Sequence, residues 1–134
     1  NVNNTKFSDA NTNIITNNPK LTLLKVGGTG ITNLDFLSKT PNITSLDISN
    51  NKNISNFEKL KSMSKLVEFD TSNTKIDDGT IAAIVKNHYH EGGSTADLSS
   101  IKKLNLSGTD ISNLDFLQYT PNVTSLDISN CQKI

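Results

Sequence analysis

The stretch ITNLDFLSKTPNITSLDISN, residues 31–50, returns as ISNLDFLQYTPNVTSLDISN at residues 111–130. The two copies lie 80 positions apart and are identical at 16 of their 20 positions. Self-similarity at a fixed offset is the sequence signature of a repeat architecture. We therefore expect the 134 residues to form one domain, or a stretch of a longer repetitive domain.

A shorter period lies inside the long repeat. Five triplets of the form LxxLxL start at residues 21, 43, 66, 101 and 123, so successive starts are 22, 23, 35 and 22 residues apart. Three residues after each triplet a polar residue or a cysteine occurs, and an isoleucine follows it. These polar positions are Thr29, Asn51, Thr74, Thr109 and Cys131. Because five units keep the same offsets, the pattern is far more specific than one isolated triplet.

The triplet predicts a short strand with one buried face. Its last two apolar residues are two positions apart and therefore project from the same face of a strand, while the residues between them project from the other face. One unit of this length cannot bury its apolar edge alone, so it must stack on its neighbours. Stacking places the strands side by side in a parallel sheet, about 4.8 Å apart.

The full pattern, LxxLxLxx(N/C/T)xI followed by a second apolar set such as Leu34 and Leu37, resembles the leucine-rich repeat over residues 21–134. The 22-residue spacing and the phrase ITNLDFLSKTPN are similar to bacterial internalin-type repeats. The resemblance implies an α/β solenoid with a parallel β-sheet on the concave face and short helices, 3-10 turns or loops on the convex face. Gly28-Thr29 and Gly108-Thr109 depart from that subgroup, which usually has asparagine there.

The two ends of the chain are less regular. Residues 1–20 are predicted to form an N-terminal cap, with Ser8 as a helix N-cap and with Ile14 and Ile15 lying over the first unit. The repeats follow as residues 21–134, and the fifth unit stops partway through its turn at Ile134. An open solenoid edge invites association. We therefore expect the natural protein to continue, with a 23-residue and then a 35-residue unit.

The third unit is longer than its neighbours. Asp77 and Asp78 supply N-cap chemistry before the helically spaced Ile81, Ile84 and Val85, which predicts a helix. An insertion over about 86–97 follows and is predicted to be a polar loop. It contains three potential metal ligands, His88, His90 and Glu91. Their spacing is not that of a zinc-binding helix and no second cluster completes the shell, so a solvated loop is favoured and no metal is assigned.

Two further sets of residues are assigned to the scaffold. Asn51 and its equivalents lie where the chain turns inward, where an amide, hydroxyl or thiol can satisfy backbone groups of adjoining turns. Cys131 is accordingly predicted to be a buried structural thiol rather than a nucleophile. Phe36 and Phe116 are predicted to be partly buried on the convex side.

The strand residues that face away from the core are the candidate site. They form three columns across the sheet, which together give a polar, hydroxyl-rich and mildly acidic surface. The central column holds Lys25, Asp47, Asp70, Asn105 and Asp127. The outer column holds Ser45, Glu68, Lys103 and Ser125. The serine column holds Gly27, Ser49, Ser72, Ser107 and Ser129, and its serines are included in the predicted partner-binding set.

Composition and motifs exclude several classes of function. Lys+Arg and Asp+Glu are balanced at 13 each, so the chain carries no global field towards nucleic acid or an anionic membrane. No apolar run approaches the length that spans a bilayer. Neighbouring carboxylates such as Asp47 and Asp70 could favour acid-base chemistry, but a shallow face does not desolvate them and no histidine joins them. We therefore predict no catalytic residues and no cofactor.

Two classes of function remain. The first is a recognition module that binds a partner protein, such as a host or surface protein, or a glycan, along the concave face, in a secreted or cell-surface adhesin of the internalin type. The second is an intracellular, cytoplasmic scaffold or regulatory subunit built from the same repeat. A signal peptide or wall anchor in the complete gene product would favour the first class. Neither class involves nucleic acid or insertion into a membrane.

Overall fold

The computed structural model describes residues 1–88 and 101–134, apart from the side chains at positions 87 and 88. Each of the five units contributes one three-residue strand, and the strands pair in parallel in the order of the chain. The strands are β1 Leu23–Lys25, β2 Ser45–Asp47, β3 Glu68–Asp70, β4 Lys103–Asn105 and β5 Ser125–Asp127. The α/β solenoid predicted from the sequence is confirmed.

The returning segments lie on the opposite, convex side. Most of them are short 3-10 helices, at Asp9–Asn11, Asp35–Lys39, Phe57–Ser62 and Asp115–Tyr119. Two are α-helical, α1 at Thr12–Thr16 and α2 at Asp78–His88. Each unit thus has a three-residue strand on the concave side and a turn or helix on the convex side, and the units stack with their strands side by side.

The core is a set of stacked ladders made by the same repeat position in successive units. The middle residue of each strand points inward, and register pairs Leu24 with Leu46, then Phe69, Leu104 and Leu126. The first four members are buried, whereas Leu126 on the last strand is only partly covered. Phe36 and Phe116 are 4% and 2% exposed, so the prediction of partial burial is wrong for both. Both rings are buried on the convex side of the core.

A polar ladder closes the turn that follows each strand. Asn51, 1% exposed, donates from Nδ2 to the carbonyls of Val26 and Ile48 at 2.9 and 3.0 Å. Its Oδ1 accepts the backbone N–H groups of Thr29 and Gly30 at 3.1 and 2.8 Å. One amide therefore satisfies four backbone groups in two units, as the sequence predicted for this position.

Cys131 occupies the same ladder position in the last unit. Its Sγ donates to the carbonyl of Leu106 at 3.1 Å and lies 3.7 Å from Oγ1 of Thr109. The structural role predicted for this thiol is therefore supported by its contacts. The thiol is half-buried in this structure rather than fully buried as predicted.

The departure at Gly28 and Gly108 has a steric cause. Both glycines have φ of +64°, as the asparagines at the equivalent positions also have positive φ. A Cβ built on Gly28 would lie 2.3 Å from Oδ1 of Asn4, and one built on Gly108 would lie 2.2 Å from Oδ1 of Asn73. The asparagine of the preceding turn therefore fills the space that a side chain would need.

The N-terminal segment adds a further rung to this ladder. The N–H groups of Val2 and Asn4 donate to the carbonyls of Lys25 and Gly27 at 2.9 and 2.8 Å. The N–H groups of Val26 and Gly28 bond to the next unit in the same pattern. Thr5 Oγ1 donates to the carbonyl of Val2 at 2.7 Å, as Thr29 does to Val26. Residues 2–5 thus adopt the turn of a repeat unit, which the sequence reasoning did not anticipate.

The predictions for the N-terminal helical region are met in part. The N–H of Ser8 donates to Oδ1 of Asn11 at 3.1 Å, at the start of the first 3-10 turn. Ile15 is 7% exposed and packs in the core, but Ile14 is 59% exposed. The prediction that both isoleucines lie over the first unit is therefore wrong for Ile14, since adjacent positions on one helical turn point in different directions.

The helix of the third unit begins as predicted, although its two aspartates differ in role. Asp77 Oδ1 accepts the N–H of Thr80 at 2.9 Å and caps α2. Ile81, Ile84 and Val85 are fully buried beneath the helix. Asp78 does not cap the helix. Its carboxylate instead accepts hydrogen bonds from Ser112 of the next unit.

The insertion over about 86–97 falls largely outside the described residues, as do the His90 and Glu91 positions and the side chain of His88. Within residues 1–88 and 101–134, no helix combines the length and the apolar character needed to cross a membrane.

Candidate binding surface

The concave face presents the central and outer columns as the sequence predicted. Register aligns Lys25, Asp47, Asp70, Asn105 and Asp127 in one row across all five strands. The outer column lies two residues earlier in each strand, with Ser45, Glu68, Lys103 and Ser125 in line. Together these side chains line an open depression of about 350 Å³.

The serine column is less accessible than predicted. Ser49 and Ser72 are only 6% and 7% exposed, because they lie beyond the strand ends where the backbone turns towards the core. Gly27 is also buried, and Ser107 is half-buried. Ser129, on the last unit, is exposed. The predicted accessibility of Ser49 and Ser72 is therefore wrong, and these two hydroxyls belong to the scaffold.

The central column has a structural task as well as an exposed surface. Oδ1 of Asp70 accepts the N–H of Ser72 at 3.0 Å and its hydroxyl at 2.7 Å. Asp127 makes the same pair of bonds to Ser129, at 2.9 and 2.7 Å. These are side-chain-to-backbone turns that hold the end of each strand. Hydrogen bonding from the Ser129 hydroxyl and N–H lowers the pKa of Asp127 below its ordinary value.

Asn105 makes the same turn without a charge. Its Oδ1 accepts the N–H of Ser107 at 3.0 Å. The turn therefore requires a carbonyl-type oxygen at this position and does not require a carboxylate. The charge of the aspartates in the central column is therefore not needed to form the turn.

At the first two strands the column is engaged by the N-terminal segment. Lys25 cannot accept a hydrogen bond, and Oδ1 of Asn3 accepts the N–H of Gly27 at 2.6 Å in its place. Asn3 Nδ2 donates to Oδ2 of Asp47 at 3.0 Å, while Oδ1 of Asp47 accepts the N–H of Ser49 at 2.9 Å. Both oxygens of Asp47 are therefore occupied within the chain.

The outer column contains one ion pair. Nζ of Lys103 lies 3.5 Å from Oε1 of Glu68, and the hydroxyl of Ser45 donates to the other oxygen of Glu68 at 3.4 Å. The pair is solvent-exposed, so its contribution to stability is small. It neutralises the only acidic residue of the outer column.

One residue of this surface was missed by the sequence reasoning. Leu23 pairs in register with Ser45 at the head of the outer column and is 47% exposed. A count of two positions back from Lys25 would have identified it. It was overlooked because a leucine beside a leucine in a repeat is normally assigned to the core.

Two carboxylates outside the concave face join neighbouring units. Asp78 accepts the N–H of Ser112 at 2.8 Å and also accepts its hydroxyl hydrogen. Asp9 makes the same arrangement with Thr32, at 3.0 and 2.6 Å. The hydroxyl of Ser112 is the main cause that lowers the pKa of Asp78. For Asp9, burial raises the pKa, but the hydrogen bonds from Thr32 and Asn33 together lower it.

Within the described part of the chain, no group of three or more histidine, cysteine or acidic side chains is arranged to hold a metal ion. The histidine and glutamate cluster considered from the sequence lies mostly outside those residues. The concave carboxylates stand on an open, exposed sheet. The surface is therefore chemically suited to contact and ion pairing.

A parallel sheet with one strand per unit, apolar ladders inside and a polar ladder at every turn defines a leucine-rich-repeat solenoid. An internalin (InlF) from Listeria monocytogenes aligns with 87% of this chain at a TM-score of 0.70 and 21% identity, and 31% of that chain is covered. This chain therefore shares the fold of internalins.

A second solved structure, the functional domain of InlJ from Listeria monocytogenes, which includes a cysteine ladder, matches at a TM-score of 0.45 and 17% identity. That alignment covers 90% of this chain and 37% of the other. This chain thus spans about a third of the length of the internalin structures that it matches. No protein-family model matches it, and no curated protein does.

Proposed function

We propose that this solenoid is a protein-recognition module and that its partner binds along the concave face. The observation that carries the proposal is that each strand has one residue facing the core and two facing outward. The middle residue packs in the core, while its two neighbours project from the sheet, where their charge and size can vary as long as the central column keeps an oxygen for the turn. Solenoids use such extended concave surfaces for binding.

The chemistry of the surface favours a protein ligand. It combines an exposed leucine, lysines, carboxylates and an amide on a rigid sheet, and rigid elements place side chains more accurately than loops. A protein surface can offer apolar, cationic and anionic groups together. A glycan offers mainly hydroxyl groups and usually stacks on aromatic rings, whereas the concave columns contain no aromatic side chain.

We also propose that the full protein acts outside the cell, as a secreted or surface-attached adhesin. The support is the fold shared with an internalin, together with the internalin-like repeat spacing. An adhesin would need its concave face to point away from the surface that carries it. Protease accessibility of the repeats on intact cells would test this placement, and protection until lysis would contradict it.

The binding proposal is tested by blocking one face at a time. Ser45→Trp and Ser125→Trp place bulky rings on the concave face, and Ser38→Trp places the same ring on the convex 3-10 turn at Asp35–Lys39. All three positions are at least partly exposed, so the fold tolerates the change. Unchanged urea midpoints would verify that.

Wild type and the three variants are then screened against an array of purified extracellular protein domains, with a glycan array in parallel. We expect a protein ligand whose signal falls at least tenfold with the concave variants and not with Ser38→Trp. A ligand that is lost only with Ser38→Trp would overturn the assignment of the face. A ligand found only on the glycan array would overturn the choice of a protein.

A further inference from the structure

The groups of the concave face that remain free are distributed unevenly from one end of the solenoid to the other. Both oxygens of Asp47 are occupied by Asn3 and Ser49, and the carboxylate of Glu68 is shared between Lys103 and Ser45. These acidic groups are thus partly neutralised or already hydrogen-bonded. They are poor candidates for contact with a partner.

In the second half of the sheet the central column keeps free acceptors. Asp70 and Asp127 line the depression and each use only Oδ1 for the serine turn, so Oδ2 of each has no hydrogen-bond partner among the described residues. Between them, Asn105 likewise uses only Oδ1, which leaves its Nδ2 available. No described cation pairs with either carboxylate.

The β1 end of the concave face carries a positive charge and an exposed apolar side chain. Lys25 lines the same depression on β1 and makes no ion pair with any described residue. Leu23, beside it on the same strand, is 47% exposed. Along the central column, the groups that remain available are therefore cationic at β1, where the exposed Leu23 lies close by, and anionic at β3 and β5, with a neutral amide at β4.

The sheet register fixes the spacing of these charges. Lys25, Asp70 and Asp127 occupy the same row on the first, third and fifth strands. At about 4.8 Å per strand, neighbouring members of this set are about 10 Å apart. Seven residues of an α-helix rise about 10.5 Å. A helix lying across the strands could therefore reach all three charges with side chains seven residues apart.

We propose that the concave face binds a helical protein segment that carries an anionic side chain over Lys25 and two cationic side chains over Asp70 and Asp127. An apolar residue of that segment beside its anionic end would cover Leu23. The inference rests on the proposed function and specifies the chemistry of the partner. Charge complementarity of this kind sets specificity and orientation more than affinity.

The test uses a synthetic helical peptide with one glutamate and two arginines at successive seven-residue intervals. Its control has the same length and helicity but carries one arginine followed by two glutamates. Binding to isotopically labelled protein is followed through backbone amide shifts. We expect shifts on β1, β3, β4 and β5 with the first peptide, and at least tenfold weaker binding of the control.

Two protein variants remove the charge and keep the turn. Asp70→Asn and Asp127→Asn retain an oxygen for the serine N–H, as Asn105 does naturally. Each is expected to weaken the first peptide about two- to fivefold, the range for exposed ion pairs. Asp115→Asn on the convex side is the matched control and should leave the affinity unchanged. Raising the salt to about 1 M should reduce the difference between the peptides, because charges are then screened within about 3 Å.

Equal binding of the two peptides, or full affinity of the Asp70→Asn Asp127→Asn double variant, would overturn the proposed charge pattern. That result is distinguishable from failure of the proposed function. If a partner from the protein array is lost with Ser45→Trp and Ser125→Trp but not with the double variant, the concave face still binds and only its charge pattern is refuted. If the peptide shifts amides of the convex turns instead, both proposals fail.

Discussion

Replacing Asn51 should reveal how much of the solenoid's stability depends on its polar ladder. The side chain is 1% exposed and makes four hydrogen bonds, two to carbonyls and two from N–H groups. A hydrogen bond contributes about 1 kcal/mol net, and a buried group left unpaired costs more. Gly30 is exposed, so water can replace its bond. Asn51→Ala should therefore lower the free energy of unfolding by about 3 kcal/mol.

A cysteine at the equivalent position of the last unit provides a comparison for the Asn51 variants. Cys131 occupies the same position of an equivalent turn and donates to the carbonyl of Leu106, the counterpart of Val26. Asn51→Cys should keep that one bond and lose about 1 kcal/mol less than Asn51→Ala. Asn53→Ala, in the same turn but exposed, should stay within about 0.5 kcal/mol of wild type.

Urea unfolding followed by far-ultraviolet circular dichroism measures all three variants, and the slope of the transition shows whether unfolding remains cooperative. A loss below about 1 kcal/mol for Asn51→Ala would refute the view that the ladder amide satisfies buried backbone groups. Equal losses for Asn51→Ala and Asn51→Cys would show that the thiol bond contributes nothing measurable.

Three further predictions concern other parts of the scaffold. Gly28→Ala and Gly108→Ala should each lower the free energy of unfolding by about 1–3 kcal/mol, because both residues have φ of +64° and an added Cβ would meet an asparagine oxygen. Gly79→Ala should be nearly neutral, because an added Cβ there would lie 3.8 Å from Oδ1 of Asp77. Urea midpoints would show this order. The pKa of Asp78 in the folded protein is lowered from its ordinary value of 3.8, so the ionised carboxylate stabilises the fold above pH 3.8. This stabilisation is lost as the pH falls through the folded-state pKa. Wild type should therefore lose more stability than Asp78→Ala between pH 7 and about pH 2. Deleting residues 1–4 removes four hydrogen bonds to β1 and its neighbours and should cost about 2 kcal/mol by the same denaturation assay, whereas deleting residue 1 alone should cost little.

Much of the fold could be predicted from the sequence, because the signals that specify it are local and repeated. The strands lie where the LxxLxL triplets place them, and α2 begins at the aspartate pair that precedes Ile81. The ladder role of Asn51 followed from its fixed offset after each triplet. The errors arose where burial depends on contacts that the repeat period does not specify. Ile14 lies on a single helical turn, and Phe36 lies on a convex surface whose closure depends on the neighbouring units.

The candidate site was predictable as a set of positions but not as a set of available groups. Alternation along a strand identified Asp47, Asp70 and Asp127 as outward-facing, and all three line the depression. Their availability differs because Asn3, 44 residues away in sequence, occupies the second oxygen of Asp47. The burial of Ser49 and Ser72 depends in the same way on how the backbone turns beyond the strand.

The sequence by itself determined the repeat, the register and the apolar ladder of the strands, because the apolar period is a property of neighbouring residues and each unit must stack to bury it. Only the tertiary structure decided which polar groups remain free, and it showed that residues 2–5 continue the ladder as a further rung. Those outcomes depend on hydrogen bonds between residues that belong to different units, such as Asn3 with Asp47 and Asp78 with Ser112. Such pairs have no fixed spacing in the chain, so no sequence period reveals them.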